Sequence, residues 1–438
     1  MSIRLDKKTS KRGVPLPKVE IPATGSIEPA SLPSTVILPL QRGGSVPNEP
    51  LVKKGDFVLV GQVIADSADD GAAPIHASIQ GEVAKIATDV DASTGEVVKT
   101  IIINGNGGDE SVAYKSTDGI ESSSSKEIIK KIRDAGIISI GDGMVPVHSK
   151  LVDELKKKVD TVLLSGYDSE MYTTANYHLM LEYGQKVLSG LNIINMILAP
   201  ANVYIAVEAS REDAMASIEK LITENKYNFS VVPVKVKYPV VEEKILIDTV
   251  LDVEVPMGGV PADVGVAVFD VGVAKAIHEA VYEGKPYIDR VVTVAGAVSK
   301  PKNLSVRSGA SISSLIDSCG GMTETDVQVI AGGPISGTEQ FNLDAPLSSQ
   351  DSGVLVMKAQ STHVIDCINC CDCVEACPMG LRPLLYPKQV AVRRYTEAQE
   401  SYIDNCTECG ACAYVCPSHI PVLEYIRIAK KVLSKVSK

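Results

Sequence analysis

At 438 residues the chain is too long for one hydrophobic core, so two to four domains are expected, and 45% hydrophobic with 22% charged residues is globular composition. A net charge of −11 argues against nucleic acid as the main partner, because phosphate binding needs a basic surface. Aromatic residues make up 4% and Trp is absent, which leaves little to stack on bases.

Residues 1–28 are rich in Lys, Pro and Ser, show no periodicity and read as a tail or strap; "MSIRLDKKTSKRG" lacks the apolar core of a signal peptide. From Ser34 the runs "STVILPL", "DFVLVGQVIA", "GEVAKIA" and "VVKTIIING" read as short strands separated by Gly and Asp turns. "EPLVKKGDFVLVGQVIA" followed by "IHASIQGEV" resembles the barrel-sandwich hybrid of biotinyl and lipoyl domains, with Gly55, Asp56 and Gly61 at tight hairpins, over 29–117. A carrier domain presents a modifiable Lys at its tip. Here the tip is "DSADDGAAPIHAS", so the resemblance implies a structural module.

"DGIESSSSKE" is a low-complexity linker. Over 126–285, helices such as "KEIIKKIRDAG", "YHLMLEYGQKVLSGL" and "REDAMASIEKLITEN" alternate with strands "DTVLLSG", "NVYIAVE" and "FSVVPVKV". That alternation predicts a Rossmann-like α/β domain with a largely parallel sheet. Its longest apolar stretch, Leu191 to Val207, is interrupted by Asn192, Asn195, Pro200 and Asn202, and falls short of a membrane span. Over 286–357 the chain turns β-rich again, with "RVVTVAGAV", "NLSVRSG", a short helix "SISSLIDSCGG" and "VQVIAGGP", and resembles an SLBB β-grasp module. Cys319 on that helix reads as a small buried hydrophobe.

The other nine cysteines lie between 367 and 416, unlike those of a secreted disulfide protein, which points to a reducing cytoplasm. Residues 358–438 hold Cys367-x2-Cys370-x2-Cys373-x3-Cys377-Pro and Cys406-x2-Cys409-x2-Cys412-x3-Cys416-Pro. Each run matches the bacterial ferredoxin pattern for a 4Fe–4S cluster, in which three thiolates come from one loop and the fourth from the other run. The match implies one cluster on Cys367, Cys370, Cys373 and Cys416, and a second on Cys406, Cys409, Cys412 and Cys377. Two zinc sites would use the same residue type, but zinc pairs two C-x2-C knuckles and leaves the Cys-Pro endings unexplained. Cys371 is left over and reads as a bystander. Arg382, Lys388, Arg393, Arg394, Arg427, Lys430 and Lys431 flank the runs as a basic patch suited to an acidic redox partner or anionic headgroups, or else as a solvated helix face.

The fold expected is thus multidomain α/β and β: barrel-sandwich hybrid, Rossmann-like domain, SLBB β-grasp module and two-cluster ferredoxin-like domain. In this order the modules resemble the C subunit of the Rnf ion-translocating complex, related to the NADH-binding flavoprotein subunit of respiratory complex I. "VKKGDFVLVGQVIA", "VPMGG", "DVGVAKAIHEAV", "RVVTVAGAVSKPKNLSVRSG" and "IAGGPISG" carry the likeness. The family's Gly-rich flavin and NADH loop, GLGGAGFPTxxKL, stands here as "SIGDGMVPVHSKL". Gly141, Pro146 and Lys150 match, whereas Ser139, Asp142 and Met144 replace glycines and Val145 and Val147 replace Phe and Thr. The second segment, NAAECEPYxTADxRLM, stands as "SGYDSEMYTTANYHLM", keeping Glu170, Tyr172 and Thr174 but with Ser165, Ser169, Met171 and His178 at altered places. Val241 occupies a further expected Gly position.

Lost glycines put bulk where bare backbone should meet a ligand, and Asp142 puts a charge beside a phosphate. The resemblance therefore implies two 4Fe–4S clusters without FMN or NADH, and no independent catalytic group; His148 and His178 read as ordinary polar residues. It implies a peripheral subunit on the cytoplasmic side of the cell membrane, partnered by other Rnf subunits and ferredoxin, relaying electrons to drive Na+ or H+ translocation. An NADH-oxidising FMN module, a soluble iron–sulfur adaptor and a docking subunit are the alternatives.

Overall fold

The computed structural model describes the chain except for residues 1–2, 18–24, 91–96, 118, 121–122, 140–143, 169, 236, 241, 360–362 and 437–438. Among the described residues it forms four sheets and a small helical unit.

The central sheet runs in the order Lys8–Thr9, Ser230–Lys235, Asn202–Glu208, Thr161–Ser165, Val266–Asp270, with every pair parallel. All five residues of Thr161–Ser165 are buried, as a strand covered on both faces requires. Successive side chains point to opposite faces, so Val162 and Leu164 enter one core and Leu163 the other. The expected helix "YHLMLEYGQKVLSGL" is instead two, Ala175–Glu182 and Gly184–Leu198, each following a different neighbour. The first packs on Glu212–Asn225 and the second on Val271–His278. Gly190 permits the latter contact, since a Cβ there would stand 1.7 Å from the Ala274 carbonyl oxygen.

The first β unit closes around Val36, Leu38, Ile64, Ile101 and Ile103, with Gly55 and Gly61 at positive φ in the turns. The second β unit is a mixed sheet crossed by the helix Ile312–Ser318, and Cys319 is fully buried in its core. The segment expected to be a tail or strap is bonded into both neighbours. Lys8 pairs with Val234, Val14 bridges Tyr238, and Glu28–Pro29 forms the edge strand beside Lys302–Arg307. The C-terminal unit wraps Leu385–Ala391 and Val422–Val436 around Tyr386, Ile403, Cys412 and Ile426.

Candidate metal centre and the adjoining cleft

Each cysteine run folds in the same way. Asn369 and Glu408 take positive φ (55° and 57°) at matching places, as do Cys371 and Gly410 (68° and 75°) and Gly380 and His419 (66° and 51°). Left-handed Cys371 and Gly410 each stand at the N-cap of a one-turn helix, Asp372–Glu375 or Ala411–Tyr414, just after the second cysteine of the run. Cys371 thus stands where its twin is glycine, and its thiol lies 3.7 Å from the Asn369 carbonyl oxygen.

The thiols sort into two adjoining sets. Cys373 has Cys370, Cys416 and Cys367 as electrostatic neighbours; Cys412 has Cys406, Cys409 and Cys377, and beyond them Cys373. The second set is the inner one. Cys377 and Cys412 are each 7% exposed, whereas Cys370 of the outer set is open to solvent. Burial pushes the Cys406 thiol up to about 11 and Cys409 up to about 12, so loading a metal must displace protons. The backbone offers hydrogen bonds to sulfur, from Leu381 N–H to Cys377 Sγ (3.3 Å) and Glu408 N–H to Cys406 Sγ (3.4 Å). Among the described residues no three His, Cys, Asp or Glu side chains converge as ligands of one ion would. A cubane carries one thiolate on each iron and spaces them more widely than a single zinc does. The thiol number, the pairing of the two runs and the sulfur-directed N–H groups fit two such cages.

Cys406 and Cys409 also line a cleft of about 1200 Å³ between the α/β domain, the second β unit and the C-terminal helix. On the α/β wall stand the residues expected from the altered loops. Gly141 and Asp142 lie outside the described residues, as do Ser169 and Val241. Lys150, its side chain 14% exposed, donates to Glu243 Oε1 (2.9 Å) and the Val268 carbonyl (2.6 Å). Asp168, Glu170, Glu242, Glu243 and Asp270 line the same wall. Burial raises Asp168 to about 7 and raises Asp270 as well, while Asp168 accepts the Asn176 N–H at 2.8 Å. Arg290 lines the cleft from the second β unit and donates to the backbone carbonyls of Asp351 and Ser348. Among the described residues the buried Ser165 Oγ has no hydrogen-bond partner.

Several expectations need correction. Met144 keeps the positive φ (46°) of the glycine it replaces, but its side chain packs against Gly43, Ala73 and Ile138 of the interdomain contact, so its bulk is turned away from the cleft. His148 and His178 stand on the helices Val147–Lys157 and Ala175–Glu182 rather than in loops. His148 Nε2 bonds the Asp70 carbonyl at 3.0 Å and His178 Nδ1 bonds Glu182 at 3.2 Å. The basic patch divides. Arg382, Lys388, Arg393 and Arg394 are exposed, but Lys430 pairs with Glu408 (2.7 Å) and donates to the Cys406 carbonyl (2.9 Å), and Arg427 donates to the Ser336 carbonyl. Sequence reasoning missed Tyr238, Ile335 and Ser336, which surround Glu170; the paired glycines of "IAGGPISG" were the one available signal.

Four family models match: RnfC barrel sandwich hybrid domain over residues 8–108, Nuo51 FMN-binding domain over 132–279, SLBB domain over 291–339 and 4Fe-4S dicluster domain over 361–421. The chain is 39% identical, over 82% of its length and 79% of the relative's, to the C subunit of the proton-translocating ferredoxin:NAD(+) oxidoreductase complex of Clostridium ljungdahlii. It is 36% identical, over 80% of each chain, to the Na(+)-translocating counterpart of Acetobacterium woodii. With the C subunit of the ion-translocating oxidoreductase complex of Rhodobacter capsulatus it shares 33% identity over 82% of this chain and 70% of that one. Among solved structures, the NAD+-reducing NiFe hydrogenase in its H2-reduced state shares the fold, with a TM-score of 0.50 at 13% identity; the match covers 72% of this chain and 61% of that one.

Proposed function

This chain belongs to the RnfC family, the C subunits of Rnf ion-translocating oxidoreductase complexes, and on that premise we propose that it relays electrons from reduced ferredoxin toward membrane partner subunits without a flavin or nicotinamide of its own. The observation that carries the reading is the pair of adjoining thiol sets, the outer one with Cys370 exposed and the inner one with Cys377 and Cys412 buried and Cys406 and Cys409 at the cleft. When bound, two 4Fe–4S clusters supply one-electron carriers there. Cys367, Cys370, Cys373 and Cys416 hold the outer one, and Cys406, Cys409, Cys412 and Cys377 the inner one.

The rest of the unit orients those ligands. Leu381 and Glu408 N–H groups face sulfur, Tyr386 and Ile403 keep water from the inner set, and Lys430 fixes the loop at Cys406. No acid, base or nucleophile is required. What supports a flavin-free reading among the described residues is that Lys150, the one cation lining the α/β wall, is engaged by protein acceptors while five carboxylates line that same wall. Among the described residues no helix is long and apolar enough to cross a membrane. In this reading the subunit docks on membrane partners from the cytoplasmic side, and its electron flow drives Na+ or H+ movement in those partners.

A second reading, an NADH-oxidising FMN module, is favoured by the FMN-binding family model and by the cleft's volume, ample for a nucleotide. An anaerobic visible and EPR titration of the reconstituted chain separates the two. Bleaching with reduced ferredoxin alone is the expected outcome; bleaching with NADH, with or without added FMN, overturns the flavin-free relay.

A further inference from the structure

The α/β domain, the second β unit and the C-terminal unit meet at one carboxylate. Glu170, 8% exposed, accepts the Ile335 N–H at 2.7 Å, the Ser336 N–H at 2.8 Å and the Ser336 hydroxyl. The Tyr238 hydroxyl lies 3.3 Å from its Oε1 and donates to the backbone carbonyl of Cys409, an inner-set cysteine. The fit is close on both sides. A Cβ on Gly333 would stand 2.2 Å from Glu170 Cδ, and one on Gly410 would stand 2.4 Å from the Ile335 carbonyl oxygen. A carboxylate is costly to bury, and neither thiolate ligation nor the packing of apolar cores requires one here. Its three backbone and hydroxyl donors form a cradle suited to an ionised acceptor, set one tyrosine away from a cluster ligand.

We propose that Glu170 and Tyr238 are positioning residues that set the reduction potential of the inner cluster, the first by its charge and the second by its hydrogen bond to the Cys409 carbonyl. The inference rests on the iron–sulfur reading above. Reduction adds one negative charge to the inner set. A donor to its ligand loop stabilises that charge, and a nearby carboxylate opposes it. The phenol carries one proton and faces two acceptors, so Glu170 also competes with Cys409 for the donor that favours reduction. The two side chains therefore act in opposite directions on one cluster.

The test is an EPR-monitored potentiometric titration of the full reconstituted chain, with the signal lost in Cys370→Ser identifying the outer cluster. Tyr238→Phe is expected to lower the inner midpoint and Glu170→Gln to raise it, with the outer midpoint unmoved in both. An inner midpoint unchanged in both variants, or two clusters that shift together as a loosened junction would make them, overturns the proposal. If Glu170→Gln fails to retain iron, Tyr238→Phe decides alone, since it removes one oxygen and leaves the packed ring. A wild-type chain whose clusters cannot be reduced overturns the iron–sulfur reading and this inference with it; reducible clusters indifferent to both variants overturn only the inference.

Discussion

Cys371 and Gly410 are twins in geometry and opposites in chemistry, which makes them a reciprocal test of what the left-handed turn costs. Cys371 holds φ 68° without being glycine, a strain of about 1–2 kcal/mol for an L-residue. Cys371→Gly removes that strain but gives the unfolded chain more freedom, worth about 0.4–1 kcal/mol in the other direction. The net expectation is a gain of about 0.5–1 kcal/mol, or a few degrees in the thermal midpoint of a unit this size. Gly410→Ala runs the other way. It incurs the same strain, and its new methyl meets the Ile335 carbonyl oxygen at 2.4 Å, so the loss is at least about 2 kcal/mol. The assay is the temperature at which the visible cluster absorption bleaches in anaerobic, fully loaded protein, with iron counted beforehand. Cys371→Gly retaining all its iron and melting later bears the reasoning out. Loss of a cluster in that variant would make Cys371 a ligand, and an earlier melt would refute the strain argument.

Three further outcomes are expected. Cys406→Ala leaves half the iron and abolishes electron flow from reduced ferredoxin; iron analysis and turnover check both, and normal turnover without that cluster would sink the assignment. Lys150→Met strips the one cation from a group in which Glu154 is already pushed up to about 8 by burial and Glu243 sits 2.9 Å away. A cost of about 3–5 kcal/mol is expected in urea unfolding, with ferredoxin-driven bleaching retained in the folded fraction. His76, buried and held down to about 4 from 6.5, resists the proton that the unfolded chain accepts. Stability should therefore fall as pH drops from 6.5 toward 4, by about 3 kcal/mol in all. His76→Gln should flatten that part of the pH profile relative to wild type.

The cysteine runs were legible because a cluster fixes its ligands through local spacing, and the sheets because buried parallel strands must be apolar on both faces. The strand "TVLLS" announces both facts about itself. Glu170 was visible only as a remnant of a family segment, since its donors at Ile335 and Ser336 come from another domain and leave no periodic mark. Met144 misled for a related reason. Sequence reveals that a glycine has gone, but not that the replacement keeps the backbone angle and buries its side chain against Gly43. Likewise, Arg427 and Lys430 look like surface charge until the Glu408 loop is folded against them.

The N-terminal strap has a consequence for synthesis on the ribosome. Lys8 is translated long before its strand partner Val234 and the Tyr238 carbonyl that abuts Gly13, and Leu304, beside Glu28, comes later still. At ~5–20 residues per second the interval between Lys8 and its partner is on the order of ten seconds or more. Docking the strap is then a late act of assembly that clamps domains already formed, and a bulky fusion placed before Lys8 would burden that closing step more than any earlier one.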